Sequence, residues 1–232
     1  MNSLPMLHPT FRRWLVVAVA AGFPTVASSE PPAVAVEAER THRTVLQNDY
    51  VQAMRVTLPA GESNDMHVHA HDDAAVMLSV ATIANETLGK AKPPGQPVAP
   101  GGISVRENGK NPLTHRIHNV GTTTFDVVDV QILQRPAGPE SPAFTTPAAE
   151  HGSLRVYRFE LSPGASSAPH THARPYVVVA ATDMTLRTAS PGQSDATQTL
   201  ETGYIQWADA GDTHTLTNSG SSPAILVEIE LK

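Results

Sequence analysis

Residues Pro163–Tyr176 read PGASSAPHTHARPY and place His170 and His172 two apart, six and eight residues after Gly164. Side chains at i and i+2 of a β-strand share a face, so a strand here presents two imidazoles side by side. Further on, GDTHTLTN offers His214 as a third nitrogen donor, with Asn218 four residues later. Two imidazoles a short step apart and a third from another strand are what a first-row metal ion needs.

The same pattern stands earlier in the chain, at Gly61, His67, His69, His115 and Asn119. His67 and His170 are 103 apart, as are His69 and His172; His115 and His214 are 99 apart, as are Asn119 and Asn218. A four-residue indel reconciles the offsets, and the Pro- and Gly-rich stretch KAKPPGQPVAPGG (90–102) is its natural place. Flanking segments repeat too: LRVYRFELSPG echoes YVQAMRVTLPAG, and TLTNSGSSPAILVEIEL echoes RIHNVGTTTFDVVDVQIL. A period near a hundred residues fits a duplicated domain rather than a solenoid. No segment carries a sustained helical period, while Val, Thr, 20 prolines and 15 glycines favour strands and turns.

The N-terminus reads differently. Arg12 and Arg13 precede the apolar run WLVVAVAAGF (14–23), and Ala27 and Ser29 stand at −3 and −1 of a cleavage point. This is the order of a secretory signal peptide over residues 1–29, and its apolar run is short of the roughly 20 residues that span a bilayer. The expected division is therefore a signal peptide (1–29), a linker (30–40), a first barrel (41–135), a Pro-rich linker (136–149) and a second barrel (150–232). The mature protein is expected to be periplasmic or secreted, without stable membrane insertion, as a monomer or homodimer. Removing the two arginines takes the formal charge from −6 to about −8, which disfavours nucleic acid as a partner. Cysteine is absent, so neither disulfides nor thiolate ligands are available.

The paired motifs resemble those of the cupin superfamily, G-x5-H-x-H-x3,4-E followed by G-x5-P-x-G-x2-H-x3-N. In the first copy Asp73 takes the Glu place, and Pro112 stands where the second motif has glycine. In the second copy Tyr176 takes the Glu place, and Gly203, Asp209, Gly211, His214 and Asn218 nearly complete the second motif. HTHARPYVVVAATD, AGDTHTLTN and LVEIELK look closer still to small bacterial cupins linked to β-alanine degradation. The resemblance implies an all-β bicupin, two tandem jelly-roll barrels with a divalent metal (Fe, Mn, Ni or Zn) in one or both.

The first site is then expected to use His67, His69, Asp73 and His115, with His71 in reserve. The second is expected to use His170, His172 and His214, holding metal by nitrogen alone. Tyr176 is a candidate catalytic acid beside it, or barrel packing, and Arg174 a carboxylate clamp. Asn119 and Asn218 are expected to close turns, Trp207 to sit in the core or at a barrel mouth, and His42, His118 and His151 to be exposed. Two functions follow: a metal-dependent dioxygenase, isomerase or lyase acting on a small carboxylate or enolisable substrate, or a non-catalytic cupin that binds or senses a small ligand.

Overall fold

The computed structural model describes residues 32–138 and 142–232, and the stretch read as a signal peptide lies outside them. Residues 32–232 form one compact unit. Its first half contains β1 (Val34–Ala35), β2 (His42–Gln47), β3 (Val51–Leu58), β4 (His67–His69), β5 (Asp73–Met77), β6 (Ala81–Thr87), β7 (Gln96–Val98), β8 (Ile103–Arg106), β9 (Leu113–Asn119) and β10 (Phe125–Ile132). The second half contains β11 (Ala149–His151), β12 (Leu154–Leu161), β13 (His170–His172), β14 (Tyr176–Ala180), β15 (Met184–Ala189), β16 (Ala196–Leu200), β17 (Ile205–Ala208), β18 (Asp212–Asn218) and β19 (Ala224–Leu231). A three-residue 3-10 turn, Val36–Ala38, is the one helical element among the described residues.

The strands make four sheets, ordered β1-β4-β9-β6-β7, β2-β3-β10-β5-β8, β11-β12-β19-β14-β17 and β13-β18-β15-β16. The first two close the N-terminal barrel and the last two the C-terminal barrel, so the all-β tandem expected from the repeat is what the chain forms. Residues 34–38, expected within a linker, belong to the first barrel: β1 pairs in parallel with β4.

Each barrel has its own apolar filling, Val56, Leu58, Phe125 and Val127 in the first and Leu161, Leu186, Leu216 and Leu226 in the second. A third cluster lies between the barrels. Val51, Val76, Val128 and Val130 on one sheet are buried in one cluster with Leu154, Val177, Val227 and Ile229 on the other. The central strands β10 and β19 are consequently buried on both faces. Their even-numbered outer residues in β10, and odd-numbered ones in β19, face the other barrel; the alternate positions, including Asp129 and Glu228, face inward. Tyr50 stacks on Trp207 across the halves, with ring centroids 5.6 Å apart.

The repeat extends to individual hydrogen bonds. Asn119 donates its amide to the carbonyls of Leu58 and Thr123 and accepts from the N–H of Gly121. Asn218 makes the same three bonds, to Leu161, Ser222 and Gly220. Both asparagines close turns. Gly61 and Gly164 mark the corner before each histidine pair with φ of 81° and 78°, where a side chain would be strained.

Candidate functional site

The histidine pairs sit on three-residue strands in which the outer residues point inward and the middle one does not: His67 and His69 on β4, His170 and His172 on β13. In each barrel the third histidine is the register partner of the first, His115 opposite His67 and His214 opposite His170. The two HxH pairs and their distant third rings are thereby brought together in duplicate.

The C-terminal cluster converges on a carboxylate that the motif reading did not include. Glu228 Oε2 lies 2.9 Å from His172 Nε2 and 3.3 Å from His170 Nε2, while Oε1 lies 3.2 Å from His214 Nε2. The site is therefore not nitrogen-only: four ligand atoms, three nitrogens and one oxygen, lie within 4.8 Å of one another. Each ring is oriented from behind. His170 Nδ1 donates to the Ala168 carbonyl (2.9 Å), His172 Nδ1 to Glu230 (3.0 Å) and His214 Nδ1 to Asp212 (2.9 Å). These acceptors assign the proton to Nδ1 and turn every Nε2 toward the centre. Glu230 is itself paired with Arg155 at 3.2 Å.

Tyr176 is buried, stacks on His172 with centroids 3.8 Å apart, and donates its hydroxyl to Asp212 at 2.9 Å. Burial, then the charges of Glu228 and Asp212, push its phenol above the ordinary range. Burial pulls His172 down, but its bonds to Glu228 and Glu230 outweigh this and hold it at about 9. Burial pushes Glu228 up, and the three imidazoles more than reverse that, leaving it below the usual carboxylate range. Three nitrogens around one buried carboxylate need positive charge at their centre, from protons or from a metal ion, and this donor set fits either. A cavity of about 350 Å³ opens on His214, Glu228 and Tyr176. Its walls carry Leu186 and Leu216 but also Gln198, Gln206 and Tyr204, and no Lys or Arg among the described residues.

The N-terminal cluster is built differently. His67 Nε2 and His69 Nε2 face one another at 3.1 Å, and the His115 ring lies 4.6 and 5.0 Å from theirs. His67 Nδ1 donates to the Asp65 carbonyl (2.8 Å) and His115 Nδ1 to Asn85 Oδ1 (2.7 Å), leaving His115 Nε2 buried without a hydrogen-bond partner among the described residues. Burial, then neighbouring histidines, lower His67 to about 4 and His115 to about 2, so these rings are neutral donors. Asp73 does not stand beside these nitrogens. Its Oδ2 is 3.3 Å from Nδ1 of His69, on the far side of that ring from Nε2, and takes the Asn108 amide at 2.6 Å. Beside it is Asp129, whose carboxyl burial and the Asp73 charge push up to about 7. His69, Asp73 and Asp129 form an adjoining group within 4.8 Å.

Three other expectations are corrected. The His42 side chain is 4 % exposed and joins the N-terminal cluster, its ring 4.7 Å from that of His67. His118 and His151 are partly buried, His118 bonded to Ser63 and Glu86. Arg174 clamps the chain itself, donating to the carbonyls of Pro136, Ala137 and Gly138. His71 lies beyond the end of β4, outside the ligand groups found among the described residues. One signal for the missed acids was available: Asp129 and Glu228 lie 99 apart, the same offset as His115 and His214.

No protein-family model matches the chain. The C-terminal part is 31 % identical over 90 residues to the β-alanine degradation protein BauB of Pseudomonas aeruginosa, covering 39 % of this chain and 94 % of that protein. Among solved structures, AerE from Microcystis aeruginosa is similar with a TM-score of 0.58 and 14 % identity, over 84 % of this chain and 98 % of AerE. A variant of salicylate 1,2-dioxygenase from Pseudoaminobacter salicylatoxidans, in complex with gentisate, is similar with a TM-score of 0.56 and 11 % identity, over 85 % of this chain and 75 % of that one. These two likenesses concern the fold.

Proposed function

The chain belongs to the cupin superfamily as a bicupin, and from that membership we propose that it is an exported metal-dependent enzyme whose reaction centre is the C-terminal barrel. The observation that carries this is the convergence of His170, His172 and His214 on Glu228 beside a cavity of about 350 Å³. Those four residues would hold a divalent ion, and a three-nitrogen, one-oxygen set suits Fe(II) or Mn(II). When bound, such an ion supplies Lewis acidity at an oxygen of the substrate.

The rest is the work of the chain. Glu230, Asp212 and the Ala168 carbonyl hold the three rings in the tautomer that keeps Nε2 free. Tyr176 commits its proton to Asp212 and packs its ring on His172, so it serves as a positioning residue. Leu186, Leu216 and Leu226 shed water from parts of the cavity wall, and Gln198, Gln206 and Tyr204 among them offer hydrogen bonds. A small oxygen-rich substrate, a carboxylate or an enolisable carbonyl compound, fits that lining, with dioxygenase, isomerase or lyase chemistry. The likeness to BauB supports a small carboxylate for the second barrel.

The test is metal content by mass spectrometry of the wild type against His172→Ala and Glu228→Gln, followed by assay of the loaded protein on small keto and β-dicarbonyl acids. Solvent deuterium exchange and oxygen uptake are the readouts. One equivalent of metal lost in either variant, together with turnover lost, is the expected result. Metal unchanged in both variants, or a loaded protein inert on the whole panel, would overturn it.

A further inference from the structure

His42 and Phe144 hold matching places in the two barrels. His42 opens β2 and Phe144 stands just before β11, and each lies over the first histidine of the pair. The His42 ring is 4.7 Å from His67 and 6.2 Å from His69; the Phe144 ring is 4.4 Å from His170 and 5.2 Å from His172. His42 also pairs with Val56, whose counterpart 103 residues on is Phe159, itself stacked on His170. One barrel thus puts an imidazole where the other puts a phenyl ring.

That imidazole is deliberately aimed. His42 Nδ1 bonds Glu39 Oε2 at 2.7 Å, and Glu39 is 2 % exposed. The same carboxylate accepts from the Thr41 N–H (2.8 Å), the Thr41 hydroxyl (2.6 Å) and the Asp65 N–H (3.0 Å). A buried carboxylate held by four donors, with an imidazole as one of them, fixes the tautomer and direction of that ring. Ligand nitrogens of His42, His67 and His69 lie within 4.8 Å of one another.

The carboxylate of the other barrel has no working counterpart here. Asp129 matches Glu228 but is one methylene shorter. Both its oxygens are buried without a hydrogen-bond partner among the described residues, and it approaches the cluster only at His69 Nδ1, 3.6 Å away. The adjoining cavity is about 60 Å³, against about 350 Å³ in the C-terminal barrel.

We infer that the N-terminal barrel carries a closed, nitrogen-only metal site formed by His42, His67, His69 and His115, so that the two barrels of one chain select different ions. Four imidazoles favour Zn(II) or Cu(II), whereas the carboxylate of the C-terminal site favours Fe(II) or Mn(II). A site with four protein ligands and little free space has a structural rather than a catalytic character.

This rests on reading the clusters as metal sites but concerns the other barrel, so it can fail alone. The experiment titrates metal-free His172→Ala protein, in which the C-terminal cluster is disabled, with ZnCl2, CuCl2 or MnCl2. One equivalent of Zn(II) or Cu(II) is expected, with Mn(II) at least about tenfold weaker. Adding His42→Phe should weaken Zn(II) by at least about tenfold. Unchanged affinity in that double variant, or equal affinity for Mn(II), would overturn the inference. Electron paramagnetic resonance of the single variant with one equivalent of Cu(II) needs no change at His42: four coupled nitrogens support the site, and fewer refute it. Loss of metal from Glu228→Gln reports on the C-terminal reading separately.

Discussion

Glu228 and Asp129 occupy matching positions 99 residues apart and differ by one methylene. Glu228 reaches three imidazole Nε2 atoms, while Asp129 stops behind one ring, at His69 Nδ1. One carbon therefore separates a carboxylate within a ligand set from one outside it. Asp212 shows the same economy, since its Oδ2 accepts both the Tyr176 hydroxyl and His214 Nδ1–H. Replacing Asp212 by Asn removes the charge that orients His214 while keeping the shape. The expected outcome is a loss of about 10- to 100-fold in metal affinity of the C-terminal site, measured by competition with a chelator, with the fold intact by circular dichroism.

At the scale of elements, β12 and β19 tie the site to the barrel wall. Arg155 on β12 bonds Glu230 on β19, both nearly inaccessible, and Glu150 on β11 completes the chain. Truncating Arg155 to Ala removes the guanidinium from the buried Glu230 carboxylate and leaves it to His172. That should destabilise the protein by about 3–5 kcal/mol in urea unfolding, and a result within 1 kcal/mol of wild type would mean the pair is effectively solvated. The same strand explains why Glu228 was missed. In LVEIEL the acids alternate with apolar residues, which in a sheet with one wet face puts them outward. Here the apolar positions pack against the other barrel, so the acids point into their own. The histidines were legible because an HxH pair shares a face whichever face that is.

For the whole molecule, docking of the barrels is polar at its edges as well as apolar at its centre. Ser153 Oγ of the second barrel donates to Asp72 of the first at 2.6 Å, Arg158 donates across to the Gly101 carbonyl, and within the first barrel the Gly109 N–H donates to Asp72 at 2.9 Å. Burial raises the Asp72 carboxyl, but its bonds to Ser153 and Gly109 outweigh this and hold it below its ordinary 3.8. A depressed carboxyl adds stability that is complete above 3.8 and is lost as pH falls toward the lower, folded value. Thermal unfolding below pH 4 should accordingly be less steep in Asp72→Asn than in wild type, and curves of identical slope would contradict this.

By itself the sequence determined the duplication, the strand parity that pairs the histidines, the third histidine of each copy and the turn-closing asparagines. Strand parity and turn residues are local, and the duplication and third histidines are read from the repeat itself. Which further side chains join each histidine cluster was decided only by the tertiary structure. Glu228 depends on which face of β19 the neighbouring barrel covers, and His42 at the start of β2 lies over its histidine pair where the other copy has Phe144. The tertiary structure likewise places Asp73 apart from the His67, His69 and His115 rings, in the adjoining group with His69 and Asp129, because β5 sets its carboxylate behind His69. Ring direction and reach are properties of packing, and no spacing rule along the chain contains them.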